Sequence, residues 1–227
     1  MNADETLRRA VIGACRELSR LGLSHGTSGN VSVRRAPGFL VSPTGMAYAT
    51  LEPRDIPLVG LDGRWYGLRR PSSEWRFHRD ILASRPEVGA IVHAHPRFAT
   101  ALACMGRGIP AFHYMVAAAG GTDIRCAPYH VFGSQALSDA ALAALTDRKA
   151  CLLAHHGIIA LGADLPAALK LAEEVESLAA QYCTALALGE VPVLGEAEMR
   201  QVVEKFRTYG RQDAADPGLR HAAEDLP

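Results

Sequence analysis

The stretch PSSEWRFHRDILASRPEVGAIVHAHP, residues 71–96, reads as a helix followed by a strand, and reactive side chains sit at the ends of both. Pro71-Ser72-Ser73-Glu74 opens the helix, and Trp75, Phe77, Ile81 and Leu82 supply its apolar positions. Ser72 or Ser73 suits an N-cap, and a hydroxyl beside a helix N-terminus equally suits a bound phosphate. The run Gly89-Ala90-Ile91-Val92 reads as a buried strand that ends in His93-Ala94-His95. Residues at i and i+2 share a strand face, so both imidazoles can reach one ion about 2 Å away. Alternating histidines also occur on exposed strands, so the pair needs partners elsewhere in the chain.

Toward the N-terminus, Leu7, Val11, Ala14, Leu18 and Leu21 recur at helical spacing and stop near Gly22. Ser24-His25-Gly26-Thr27-Ser28-Gly29-Asn30 follows, a Gly/Ser loop that suits either a plain turn or an anion cradle of backbone N–H groups. Val31-Ser32-Val33 and Phe39-Leu40-Val41 read as strands, the second running into the turn Ser42-Pro43-Thr44-Gly45. Leu58 to Tyr66, turning at Asp62-Gly63, predicts a hairpin.

Toward the C-terminus, Pro96 opens a helix through Ala99, Leu102 and Ala103. An apolar stretch, Ile109 to Gly121, contains His113 and Tyr114, and Ala127 to Gly133 contains Tyr129, His130 and Phe132. Ser134 caps a further helix. Ala150 to Ala154 predicts a buried strand leading into His155-His156-Gly157, and Ile158 to Leu161 another. Asp164 and Pro166 start a long helix to about Leu188, and Glu196 to Phe206 forms the last one. Several strand-to-strand links are too short for a parallel crossover. The expected fold is therefore α/β, with a mixed or largely antiparallel sheet flanked by helices. The expected organisation is one domain over 1–210 and a flexible tail over 211–227.

Composition narrows the function. The 24 Lys and Arg balance the 24 Asp and Glu, which argues against a dominant basic patch for nucleic acid. The five cysteines are scattered and never in C-x-x-C spacing, so reduced thiols are expected and neither a disulfide framework nor a thiolate zinc site. No apolar run approaches the ~18 residues of a membrane span, and the N-terminus lacks a signal core. A cytoplasmic protein with no membrane partner is expected.

His93, His95 and one of His155/His156 make three imidazoles, each at the end of an apolar strand. That set leaves room for water, substrate or a carboxylate, which fits catalytic better than structural zinc. Glu74 suits a fourth ligand, a general base, or both in turn. His25, His78, His113, His130 and His221 are expected to serve hydrogen bonding or the surface.

These motifs together resemble the zinc-dependent class II aldolase family, which includes L-fuculose-phosphate aldolase, L-ribulose-5-phosphate 4-epimerase and adducin heads. The resemblance covers about Leu7 to Tyr209. It rests on GTSGNVSVR (Gly26–Arg34), SPTG (Ser42–Gly45), PSSEWRFH (Pro71–His78), HAH (His93–His95), HYMVAAAGG (His113–Gly121), HHG (His155–Gly157) and FRTYG (Phe206–Gly210).

The resemblance implies a three-layer α/β/α domain with a mostly antiparallel central sheet, in a homotetramer with sites at subunit interfaces. It implies Zn²⁺, or Mn²⁺ or Co²⁺ in its place, on His93, His95 and His156, with Glu74 as resting ligand and proton carrier. It places a phosphate against Gly29, Asn30, Thr44, Gly45, Ser72 and Ser73. It makes Tyr114 an acid in a neighbouring subunit's site and has Tyr209 help cover that site. Val131 and Phe132 fall near the expected aldehyde pocket.

The implied reaction is retro-aldol cleavage of a ketose 1-phosphate to dihydroxyacetone phosphate and an aldehyde. The substrate is fuculose 1-phosphate-like, or 5-deoxyribulose or methylthioribulose 1-phosphate as in salvage of S-adenosylmethionine by-products. Epimerases of the family carry Asp at the position of Glu74, so Glu74 favours the aldolase. The alternatives are a decarboxylase, dehydratase or epimerase on the same scaffold, or a non-catalytic adducin-like module. A Schiff-base aldolase needs a desolvated lysine, and Lys149, Lys170 and Lys205 all lie in charged or edge contexts.

Overall fold

In the computed structural model, residues 3–209 are described; Gly210 and the expected tail over 211–227 lie outside them. Among the described residues, six α-helices are formed by Ala3–Arg20 (α1), Trp75–Ser84 (α2), Arg97–Cys104 (α3), Gln135–Ala144 (α4), Leu165–Leu188 (α5) and Glu196–Phe206 (α6). Eight strands are Asn30–Arg35 (β1), Gly38–Val41 (β2), Leu58–Gly60 (β3), Trp65–Tyr66 (β4), Ala90–Ala94 (β5), Arg125–Ala127 (β6), Ala150–Leu153 (β7) and Gly157–Gly162 (β8).

The strands form one sheet in the order β4-β3-β2-β1-β5-β8-β7-β6. Every pairing is antiparallel except β6 with β7. That exception is explained by connectivity, since α4 lies between those two strands and gives the chain length for a parallel crossover. The three residues of β6 carry too short a pattern to read as a strand from sequence.

Strand alternation divides the apolar residues into two cores. Ala90, Val92 and Ala94 of β5 pack with α1, α3, α5 and Met199 of α6; Ile91 packs with α2 and α4 on the other face. The result is the expected α/β/α layering. β5 lies inside the sheet and is buried along its whole length, which is why its sequence is a continuous apolar run.

The helix caps follow local chemistry in two places. Ser134 accepts from the Leu137 N–H, and Asp164 accepts from the Ala167 N–H, with Pro166 in the first turn of α5. At α2 the expectation of a serine cap is corrected. Glu74 holds the N-cap position without a side-chain cap, and Ser72 instead accepts from the Glu74 N–H in the preceding turn. The carboxylate is thereby left for other partners. Phe77, Ile81 and Leu82 seat α2 on the sheet; each such side chain contributes roughly 1.5–3 kcal/mol on burial, which fixes where Glu74 sits.

Candidate active site

His93 is the fourth residue of β5, and side-chain alternation points it to the α2 face. His95 follows on the same side, just past the strand end. His156 arrives from the tight connection between β7 and β8. There His155 adopts a left-handed backbone, φ 55°, and the His156 N–H returns to the Leu153 carbonyl. This turn puts His156 beside the other two rings and sends exposed His155 toward Tyr129, with ring centres 5.9 Å apart. Gly157 must lack a side chain, since a Cβ there would meet the Ala94 carbonyl oxygen at 2.3 Å and the His95 ring at 2.6 Å.

The donor atoms converge. His93 Nε2 is 2.9 Å from His95 Nε2 and 3.0 Å from Glu74 Oε2, and His156 Nε2 is 3.3 Å from Glu74 Oε1. Donors held at zinc–ligand distances in a tetrahedron sit about 3.3 Å apart. The His93 ring is also fixed for metal binding. Its Nδ1–H donates to the Ile158 carbonyl at 2.8 Å, which turns the Nε2 lone pair inward. Lone pairs and a carboxylate this close repel one another unless a cation lies among them. Glu74 Oε1 is buried without a hydrogen-bond partner, as a ligand atom would be. The residues therefore fit a metal ion.

Ionisation follows the same logic. Burial pushes His95 down to about 3, with the field of His93 and His156 adding to it. Burial and His93 push His156 down to about 4. For Glu74, burial by itself would raise the carboxyl, but His93, His156 and the Asn30 hydrogen bond hold it well below the usual carboxylate range. Burial opposes charge on His93 too, yet Glu74 and the Ile158 carbonyl move it upward. The cluster thus offers an anionic carboxylate and two imidazoles, His95 and His156, held neutral with free lone pairs, while His93 would release its proton on binding a metal.

A cleft of ≈ 370 Å³ opens beside the cluster. Gly29, Asn30, Thr44, Gly45, Ser72 and Ser73 all line it, as do Glu74, His95, His156 and Phe132. The structure shows how these separate turns meet. An antiparallel bridge joins Pro43 to Pro71, and the Ser72 N–H donates to the Ser42 carbonyl at 3.0 Å. The Tyr48 hydroxyl donates to the Gly29 carbonyl at 2.7 Å and pins the first loop. Gly29, at φ +82°, approaches so closely that a Cβ would meet Ser24 Oγ at 2.6 Å and the His93 carbonyl oxygen at 2.8 Å. Not every group in this lining is free. The Thr44 N–H donates to the Arg70 carbonyl, and the Asn30 side chain is engaged by Glu74 and His78.

Among the described residues, no lysine or arginine lines the cleft. Lys149 and Lys170 line a groove with Leu161 and Phe206, and Lys205 is exposed on α6. Tyr114 and Tyr209 are exposed and line no part of this chain's own cleft. Tyr129 and His130 line the cleft without having been singled out from sequence for a site, and His155, the alternative third imidazole, lines it beside Tyr129. Buried His78 and Ser32 lie behind it; the one available sign was that His78 stands four residues after Glu74, on the same helix face.

The chain belongs to the class II aldolase family: residues 9–183 match the family described as Class II Aldolase and Adducin N-terminal domain. It is 57% identical over 204 residues to the 5-methylthioribulose-1-phosphate/5-deoxyribulose-1-phosphate aldolase of Rhodospirillum rubrum, covering 90% of this chain and 92% of that protein. It is 50% identical over 205 residues to the L-fuculose phosphate aldolase of Escherichia coli strain K12, covering 90% and 95%. A solved structure of L-fuculose 1-phosphate aldolase matches with a TM-score of 0.87 at 37% identity, over 91% of this chain and 98% of that one. The protein is an enzyme, an aldolase of the metal-dependent class. Among the described residues, no helix is long and apolar enough to cross a membrane.

Proposed function

We propose that this enzyme cleaves a ketose 1-phosphate to dihydroxyacetone phosphate and an aldehyde, using Zn²⁺ held by His93, His95 and His156 with Glu74. The observation that carries this is one cleft holding the histidine–carboxylate cluster, hydroxyl-rich turns and no lysine. Lysine-free lining argues against Schiff-base chemistry. The relatives' names supply the substrate class: a methylthioribulose or deoxyribulose 1-phosphate in one, a fuculose phosphate in another.

A metal ion in this site would supply Lewis-acid stabilisation of the negative charge that develops on the ketone oxygen. The residues divide the remaining work. The loops at Gly29–Asn30, Thr44–Gly45 and Ser72–Ser73 hold the phosphate through hydroxyls and unpaired N–H groups, helped by the N-terminal end of α2. In the condensation direction Glu74 removes a proton from the carbon of dihydroxyacetone phosphate that forms the new bond. Tyr114 from a neighbouring subunit gives a proton to the aldehyde oxygen as it becomes a hydroxyl. Cleavage runs the same transfers backwards. Phe132 and a neighbour's Tyr209 close around the aldehyde substituent. The exposure of Tyr114 and Tyr209, away from their own cleft, supports a homotetramer in which each completes another subunit's site.

The test is to incubate metal-loaded enzyme separately with fuculose 1-phosphate and methylthioribulose 1-phosphate, with and without chelator, and measure dihydroxyacetone phosphate. Chelator-sensitive release is expected, and the ratio of rates assigns the preferred sugar. No release from either would replace this reading with a decarboxylase, dehydratase or epimerase.

A further inference from the structure

Behind Glu74 lies a buried polar relay whose far members, His78 and Ser32, have no part in the mechanism above. Asn30 Nδ2 is 3.0 Å from Glu74 Oε2, His78 Nε2 is 2.5 Å from Asn30 Oδ1, and Ser32 Oγ is 2.7 Å from His78 Nδ1. Ser32 and His78 are fully buried, and Asn30 and Glu74 nearly so. The relay exists because two periodicities interlock. Asn30 and Ser32 are i, i+2 on one face of β1, and Glu74 and His78 are i, i+4 on one face of α2. Asn30 also stands directly opposite His93 in the β1–β5 register, so the relay ends at the cluster itself.

Chemistry fixes the direction of every link. An ionised carboxylate only accepts, so Asn30 must present its NH₂ to Glu74 and its oxygen to His78. His78 must then donate from Nε2. Burial holds this imidazole neutral, at about 3, with His93 adding to the effect. Its Nδ1 is therefore an acceptor, and the Ser32 hydroxyl donates to it. The same arrangement treats the two oxygens of Glu74 differently: Oε2 is held by Asn30, while Oε1 has no hydrogen-bond partner.

We propose that His78 and Ser32 are positioning residues for Glu74: the relay fixes Oε2 and leaves Oε1 as the oxygen that carries the substrate proton. This rests on the reading of Glu74 as the proton carrier. His78 touches neither substrate nor metal ligand; it acts through Asn30. Phe77 and Phe39 pack against its ring, so packing alone would be satisfied by a phenyl group. A phenyl cannot donate to Asn30, whereas glutamine carries an N–H near the place of Nε2.

The experiment compares His78→Phe, His78→Gln and Ser32→Ala in the full-length, metal-loaded enzyme. The readouts are metal content, thermal midpoint, kcat and KM, and solvent-deuterium exchange into dihydroxyacetone phosphate, which isolates the proton step. The expected result for His78→Phe is a fall in kcat and in exchange of about tenfold or more, with KM and metal content near wild type. His78→Gln recovers part of that loss, and Ser32→Ala shows a smaller one.

Nitrogen-15 spectra of histidine-labelled, metal-free wild type supply a readout independent of turnover. They should show one imidazole protonated at Nε2 with a slowly exchanging hydrogen, a signal that Ser32→Ala perturbs. Unchanged kcat and exchange in His78→Phe would overturn the proposal. So would equal losses of metal, stability and activity in both His78 variants without recovery by Gln, or an Nδ1–H tautomer assigned to His78 by its disappearance in His78→Phe. A wild-type enzyme that neither cleaves nor exchanges would sink the reading of Glu74 while the tautomer result still stood, so the two failures are distinguishable.

Discussion

The floor and the rim of the cleft are built on opposite principles. On the floor, His93 is 0% and Glu74 6% exposed, and backbone or side-chain partners aim both. On the rim, Tyr129 and Phe132 are 58% and 66% exposed. The floor is over-determined because reacting groups must be held within a fraction of an ångström, and buried polar atoms cost free energy unless paired. The rim is loosely specified because selecting a substituent needs shape and apolar surface. One consequence is a division of labour: changes on the floor should alter whether the reaction occurs, and changes on the rim which sugar is used.

Three outcomes would sharpen or break that division, beside the His78 series. The largest effect belongs to Glu74→Gln. It keeps the shape and one acceptor but loses the base, so cleavage should fall by about 10²–10⁴ while bound metal persists. Dihydroxyacetone phosphate release and metal analysis measure the two separately, and near-wild-type turnover would remove Glu74 from the chemistry.

An intermediate effect concerns pH. His95 at about 3, His156 at about 4 and His78 at about 3 all lie below the ordinary 6.5, so their contribution to stability is present above 6.5 and lost as pH falls toward those values. Glu74, lowered from 4.5, adds a loss at still lower pH. His93 runs the other way, contributing below 6.5 and losing as pH rises through its higher folded value. The three depressed histidines outweigh it. Metal-free protein should melt at a lower temperature at pH 5 than at pH 7. Added Zn²⁺ should raise the midpoint more at pH 7, because protons compete for the same ring nitrogens. A midpoint rise that is the same at both pH values would argue that zinc binds elsewhere.

The smallest effect is expected at the rim. Phe132→Ala should leave metal content unchanged and shift the ratio of kcat/KM between methylthioribulose and fuculose phosphates by about tenfold. A total loss of turnover would show that floor and rim are not separable.

Much of this was legible in the chain. The i, i+2 spacing of His93 and His95 survives folding unchanged because β5 is a regular strand. The Asp164 and Ser134 caps and the span of α5 fell where capping chemistry put them. Three features were not legible. Residue chemistry left the choice between His155 and His156 open and only the family resemblance named His156, because the choice depends on a left-handed residue in a four-residue turn. The N-cap of α2 fell to Glu74 because Ser72 turned back to the Glu74 N–H. His78 read as an ordinary helix histidine because its partners lie 46 and 48 residues away in β1.

The sequence by itself determined the donors: three imidazoles, a carboxylate, and hydroxyl- and glycine-rich turns, spaced by strand and helix periods that depend on local backbone geometry alone. Only the tertiary structure decided how they meet. The β1–β5 register set Asn30 opposite His93, the packing of α2 brought Glu74 between His93 and His156, and the Pro43–Pro71 bridge joined two distant turns into one lining. Those are long-range contacts, fixed when the two cores close on the sheet. Burial then settled the protonation states, because the cost of charge depends on what surrounds a group in space.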